Sequence, residues 1–146
     1  MSDKVFKESG AIQVLSIQMS KQGVNEFTLA NNEILLAVFC QGRGDVTFSE
    51  KKIFAVEKEY VMICGGIGRN EISVCTEDLP ESQVILVVLT GICMPEKMKR
   101  GCLRNQSSKI VSMLIREIGE KQFGYVSNCE SLINMLLILL HRECNQ

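Results

Sequence analysis

The sequence predicts a mainly β fold with C-terminal helices: an antiparallel β-barrel or sandwich over residues 1–94, then a connector and two α-helices over residues 95–146. Three observations carry this. A succession of short runs rich in β-branched residues, separated by turn signals, fills the first part of the chain. No helical pattern of useful length lies between those runs, which argues against parallel crossovers. After Leu89 the apolar spacing becomes helical.

Ile12–Met19 is the first run, and Glu33–Cys40 (EILLAVFC) is the second, entered through the turn residues Asn31-Asn32. Gln41-Gly42-Arg43-Gly44 then breaks the chain. Asp45–Phe48 alternates, with Val46 and Phe48 on one face, and Ser49–Lys52 makes a polar hairpin turn into Ile53–Val56. Tyr60–Cys64 is closed by Gly65-Gly66-Ile67-Gly68. Glu71–Thr76 alternates, a loop at Asp78–Glu81 contains Pro80, and Gln83–Leu89 (QVILVVL) is the most strongly β of all.

Thr90–Asn105 is a mixed connector carrying Pro95, Gly101 and a basic cluster. Ser107–Lys121 reads as a helix, with Ile110, Val111, Leu114, Ile115 and Ile118 at helical spacing and Gly124 as its stop. Ser127-Asn128-Cys129-Glu130 has the form of a capping box opening a second helix, about Asn128 to Glu143. That helix is apolar over more than one face. Part of it should meet the first helix, and part a second copy of the chain through Leu132, Met135, Leu136, Leu139 and Leu140. Barrel and helices are expected to form one folding unit.

At 146 residues, 46% apolar and 23% charged, the chain is long enough to bury a real core. A net charge of −1 gives no global sign of a nucleic-acid binder. Seven cysteines without a CxxC pair, behind a start that lacks an apolar leader, read as buried reduced thiols in a cytoplasmic protein. The apolar run Met135–Leu140 is far too short for a membrane span.

Chemistry needs converging groups, and few are on offer. One histidine, His141, cannot build the histidine sets by which barrels of this kind hold metal, so no metal or other cofactor is expected. Its place late in a helix argues against a dyad with a cysteine, and no catalytic residue is expected. The carboxylate pairs Glu57/Glu59 and Glu77/Asp78 are explained as solvated turn charges. Gly65–Gly68 lacks the following GK[ST] of a phosphate loop and reads as a tight corner. Arg43-Gly44-Asp45 is a hairpin turn rather than an adhesion signal. Lys97, Lys99, Arg100 and Arg104 form a possible contact for an anion or partner at the barrel-to-helix junction. Inward-facing candidates for a ligand pocket are Leu15, Ile17, Leu36, Val38, Phe48, Phe54, Met62, Ile72, Val74, Leu86 and Val88.

The stretch Glu33–Ile63, EILLAVFCQGRGDVTFSEKKIFAVEKEYVMI, resembles the cupin-like N-terminal domain of AraC-type transcription regulators. A strand leads to a glycine-bearing turn, here Gly42 and Gly44, and then to a short hairpin. Lys58-Glu59 stands where that family often has Gly-Asp, which is a departure. Val84–Met94 (VILVVLTGICM) resembles the last barrel strand and its exit, and the two helices match the family's linker helices. The resemblance implies an effector-sensing and dimerisation domain. Its partners would be a second copy and a small-molecule effector or regulatory protein. DNA would be read only by a helix-turn-helix domain not present in this chain. The alternatives are a free-standing, metal-free cupin-like module that binds a small molecule or protein, and a cupin-class enzyme.

Overall fold

The computed structural model describes residues 7–21, 23–77, 82–94 and 96–144. The expected loop at Asp78–Glu81, the residue Pro95 and the N-terminal Met1–Lys4 lie outside them. In chain order the strands are β1 (Lys7–Ser20), β2 (Gly23–Leu29), β3 (Ile34–Gln41), β4 (Gly44–Phe48), β5 (Lys51–Ala55), β6 (Glu59–Cys64), β7 (Asn70–Thr76), β8 (Gln83–Cys93) and β9 (Met98–Cys102). The helices α1 (Asn105–Glu120) and α2 (Tyr125–Cys144) follow.

The strands make two antiparallel sheets, one in the order β1-β8-β3-β6-β9 and the other β2-β7-β4-β5. Two strands went unread in the sequence, and both are edges. In β2, only Phe27 and Leu29 carry the inward alternation. In β9, charged residues and Gly101 occupy what read as a connector; charges on an edge strand discourage further pairing. The β4–β5 turn is the two-residue kind, with Ser49 and Glu50 both at positive φ (49° and 64°). That geometry matches the natural twist of a hairpin. Lys58 adopts φ 72° in the β5–β6 turn, the left-handed conformation for which glycine is the usual residue.

Two apolar cores result. Leu35, Ala37, Phe39, Val46, Ile72, Val74, Val84 and Leu86 fill the space between the sheets. Ile34, Leu36, Val38, Met62, Ile85, Val87 and Leu89 point the other way, from the outer face of the five-stranded sheet into a layer made by Leu114, Ile133, Leu136 and their neighbours on the helices. The central strands are therefore buried on both faces, and each such side chain contributes about 1.5–3 kcal/mol relative to exposure.

The helix boundaries correct two expectations. α1 ends at Lys121, which takes the left-handed cap conformation (φ 50°) and donates its N–H to Glu117 O, so Gly124 is not the stop. Gly124 instead precedes α2, and its carbonyl already accepts the N–H of Asn128 at 3.0 Å. Ser127–Glu130 therefore lies inside the helix rather than capping it.

Candidate functional site

The β4–β5 turn, the Gly65–Asn70 loop and the approach to β9 surround a mouth of about 270 Å3. Phe48, Ile63 and Ile72 supply apolar surface there; Arg69, Asn70, Glu71 and Lys97 supply polar rim. An adjoining hollow of about 540 Å3 shares Phe48, Ser49, Glu71 and Ile72 and extends over Phe27 and Thr47.

Local chemistry fixes this rim. The Asn70 side-chain amide donates to Leu29 O (3.1 Å), Gly66 O (2.8 Å) and Gly68 O (3.3 Å), pinning the glycine loop to the end of β2. Gly65 lies against the Ala30 carbonyl, where a Cβ would clash, and Gly68 sits at φ 95°. The glycine run is thus a corner whose residues are set by close approach and positive φ. The Lys97 carbonyl accepts the N–H of Cys64 at 2.9 Å, which holds Lys97 at the mouth. Arg69 meets Glu71 at 3.7 Å, with both side chains mostly exposed, so the pair constrains neither strongly. The mouth sets two cations and one carboxylate, Glu71, over Phe48 and the edges of the nearly buried Ile63 and Ile72, a net positive rim suited to a ligand that has an apolar body and an acidic group.

The predicted pocket lining divides. Phe48, Ile72, Val74, Leu86 and Val88 do face the space between the sheets. Leu36, Val38, Met62 and Ile17 face the helix layer instead. Leu15 (44% exposed) and Phe54 (66% exposed) point outward. The alternate residues Leu35, Ala37, Phe39, Ile53, Val61 and Ile63 take the inward places. For Leu36, Val38 and Met62 the cause is that β3 and β6 are apolar on both faces, so their sequences do not reveal which face is inside.

The predicted dimer surface also divides. Leu132, Leu136 and Leu140 are buried in the helix–sheet core of their own chain, and Leu139 is half-buried against it. Met135 (49% exposed), with Ile138 beside it on the helix, remains on the outer face of α2.

The four cations do not form one cluster. Lys97 is at the mouth. Arg100 seals the opposite sheet edges by donating to Phe54 O (2.8 Å) and approaching Glu59 (3.5 Å). Lys99 and Arg104 border a separate notch against the helices. Glu59 also accepts the Val56 N–H at 2.8 Å, and Arg43 pairs with Glu77 at 2.9 Å, so these turn charges have local structural partners.

Cys40, Cys64, Cys75, Cys93, Cys102 and Cys129 carry free thiols. Burial pushes Cys40 up to about 12, and burial also raises Cys64 and Cys129, helped by Cys93 and Glu117 respectively. These three thiols are held in the protonated, weakly nucleophilic form at neutral pH. Among the described residues no three histidine, cysteine or acidic side chains converge as a metal site, and no helix is long and apolar enough to cross a membrane. His141 lies in a cleft with Ile12, Ile92 and Leu137.

No protein-family model matches the sequence, and no curated protein matches it as a sequence relative. Solved structures do resemble the fold. ToxT from Vibrio cholerae, an AraC-family protein, superposes in an apo variant form with a TM-score of 0.54 and 8% identity, covering 96% of this chain and 59% of that one. ToxT bound to (E)-4-(8-methylnaphthalen-1-yl)but-3-enoic acid gives a TM-score of 0.51 at 9% identity, covering 94% and 58%. YhaK from Escherichia coli gives 0.50 at 12% identity, covering 66% and 45%. The chain thus spans about half the length of these structures. The shared fold is cupin-like, with its strands in two antiparallel sheets followed by helices.

Proposed function

We propose that this cupin-like barrel is the effector-sensing and dimerisation domain of an AraC-type transcription regulator, and that it senses rather than catalyses. The observation that carries the reading is the mouth: Phe48, Ile63 and Ile72 beneath Lys97 and Arg69. Such a site suits an amphipathic carboxylic acid, whose apolar body is desolvated on the floor while its charge meets the cations. The ligand carried by ToxT in one of the matching structures belongs to that chemical class. In a full-length regulator this domain would control DNA binding by a helix-turn-helix domain, in the cytoplasm. A second copy would pack on the outer face of α2 at Met135 and Ile138, the apolar positions its own core leaves exposed.

The test is calorimetric titration with (E)-4-(8-methylnaphthalen-1-yl)but-3-enoic acid. Saturable binding that weakens about tenfold in Lys97→Gln and again in Arg69→Gln is expected, about 1.4 kcal/mol per tenfold step. Absence of binding by a folded protein, or binding indifferent to both substitutions, sinks the assignment of the mouth.

A further inference from the structure

We propose that the β4–β5 hairpin is the movable lip of the mouth, and that Arg100 is the latch that holds this lip against the five-stranded sheet. The inference rests on the reading of the mouth as the effector site and adds how that site opens.

The mouth draws its wall from both sheets. Phe48 and Ser49 belong to the β4–β5 hairpin, whereas Ile63 and Cys64 belong to β6 and Lys97 to the approach to β9. Here β5 and β9 are the last strands of different sheets, so among the described residues no ladder joins them and β5 pairs with β4 alone.

Burial holds β5 weakly. Of its five residues Ile53 and Ala55 are buried, while Lys51, Lys52 and Phe54 are exposed. An edge strand with so little apolar anchorage opens at the low end of the local stabilities within a domain. Its far end is fixed, because Glu59 donates its N–H to Val56 O at 3.0 Å and the Glu59 carboxylate accepts the Val56 N–H at 2.8 Å. The hairpin therefore pivots on the β5–β6 turn, and its free end, Ser49-Glu50, is the part that borders the mouth.

Arg100 crosses the seam between the two edges. Its guanidinium donates to Phe54 O at 2.8 Å and approaches the Glu59 carboxylate at 3.5 Å. Phe54 follows Lys51, the first residue of β5, by three positions, and Arg100 follows Lys97 by three. At about 3.3 Å per residue the bridge lies about 10 Å along the strands from the rim. Its strength suits release. The side chains of Arg100 and Glu59 are 46% and 25% exposed, so water screens the ion pair and the bond to Phe54 O carries most of the hold. Such a contact biases the hairpin shut without locking it, and Phe48 moves with the lip.

The test begins without ligand, on the whole chain. In Arg100→Ala the amides that bond β5 to β4 should exchange hydrogen about tenfold faster, with β2 unaltered. Glu59→Gln keeps an acceptor for the Val56 N–H and should give a smaller rise at the same amides; it decides the question if Arg100→Ala does not fold. Stopped-flow mixing with (E)-4-(8-methylnaphthalen-1-yl)but-3-enoic acid should then show association and dissociation each about fivefold faster in Arg100→Ala, with affinity within about twofold of the parent. A merely structural loss lowers affinity or melting temperature without speeding association. Exchange unaltered in both variants, acceleration spread evenly through both sheets, or an association rate equal to that of the parent would each overturn the proposal. A parent that fails to bind the acid removes the effector reading of the mouth, and the exchange result then decides the latch on its own.

Discussion

The hydroxyl of Ser107, the third residue of α1, donates a 2.9 Å hydrogen bond to the carboxylate of Glu143, the penultimate residue of α2. The same oxygen accepts the Arg104 N–H at 2.8 Å. One fully buried hydroxyl thus satisfies an orphan donor of α1 and ties the two helices together at their far sequence ends. Ser107→Ala should lower stability by about 1–3 kcal/mol, since it leaves a part-buried N–H and a carboxylate without their partner. Urea unfolding would register this as a lower midpoint at unchanged slope. A midpoint equal to that of the parent would show that the bridge adds nothing.

The facing of β3 and β5 can be tested by truncation. Leu35 lies between the sheets and Phe54 lies on the outer surface. Leu35→Ala should cost about 2–5 kcal/mol, because it leaves a cavity in a closed core. Phe54→Ser should stay within about 0.5 kcal/mol of the parent, as surface substitutions do. Comparable losses from the two would place Phe54 inside and reject the register.

On α2, neighbouring residues should behave oppositely. Leu136 is fully buried, so Leu136→Asp introduces an unpaired charge into the core and should lower stability by about 3–5 kcal/mol or unfold the chain. Met135→Asp should be tolerated within about 0.5 kcal/mol in the monomer. Sedimentation then reads assembly: if copies pair through the outer face, Met135→Asp shifts a dimer to monomer while the melting of the monomer is unaltered. A dimer indifferent to Met135→Asp and Ile138→Asp places the contact elsewhere.

Cys40 predicts alkaline sensitivity. Its thiol rises from 9.0 to about 12 in the folded chain, chiefly because burial disfavours the thiolate. Below pH 9 both states hold the proton and its contribution to stability is complete. Between about 9 and 12 the unfolded chain loses that proton first, so stability falls with rising pH by up to about 1.4 kcal/mol per unit from this group. Cys40→Ala should flatten that decline while leaving the shape of the curve near neutrality unchanged. An identical alkaline slope in the variant would remove Cys40 as its source.

The candidate site was less legible than the fold. Lys97 was visible as a basic residue, but Arg69 and the floor residue Ile63 were not singled out. Arg69 lies in the loop after a glycine corner and joins Lys97 only because the Cys64 N–H bonds the Lys97 carbonyl. Nothing in the spacing of residues 69 and 97 announces that contact. Phe48 and Ile72 were legible, since β4 and β7 belong to a sheet whose outer face is open to solvent, and their apolar residues alternate.

What the sequence by itself determined is the class of structure: short β runs with turn chemistry between them, then two helices whose apolar spacing requires a covering partner. What only the tertiary structure decided is which face of each central strand looks inward, and hence which residues line the barrel and which leucines of α2 stay available. The reason is that α1 and α2 fold back over the outer face of the five-stranded sheet. Once both faces of β3 and β6 are buried, EILLAVFC and YVMIC satisfy either facing equally well. Packing against the helices on one side and the second sheet on the other makes the choice.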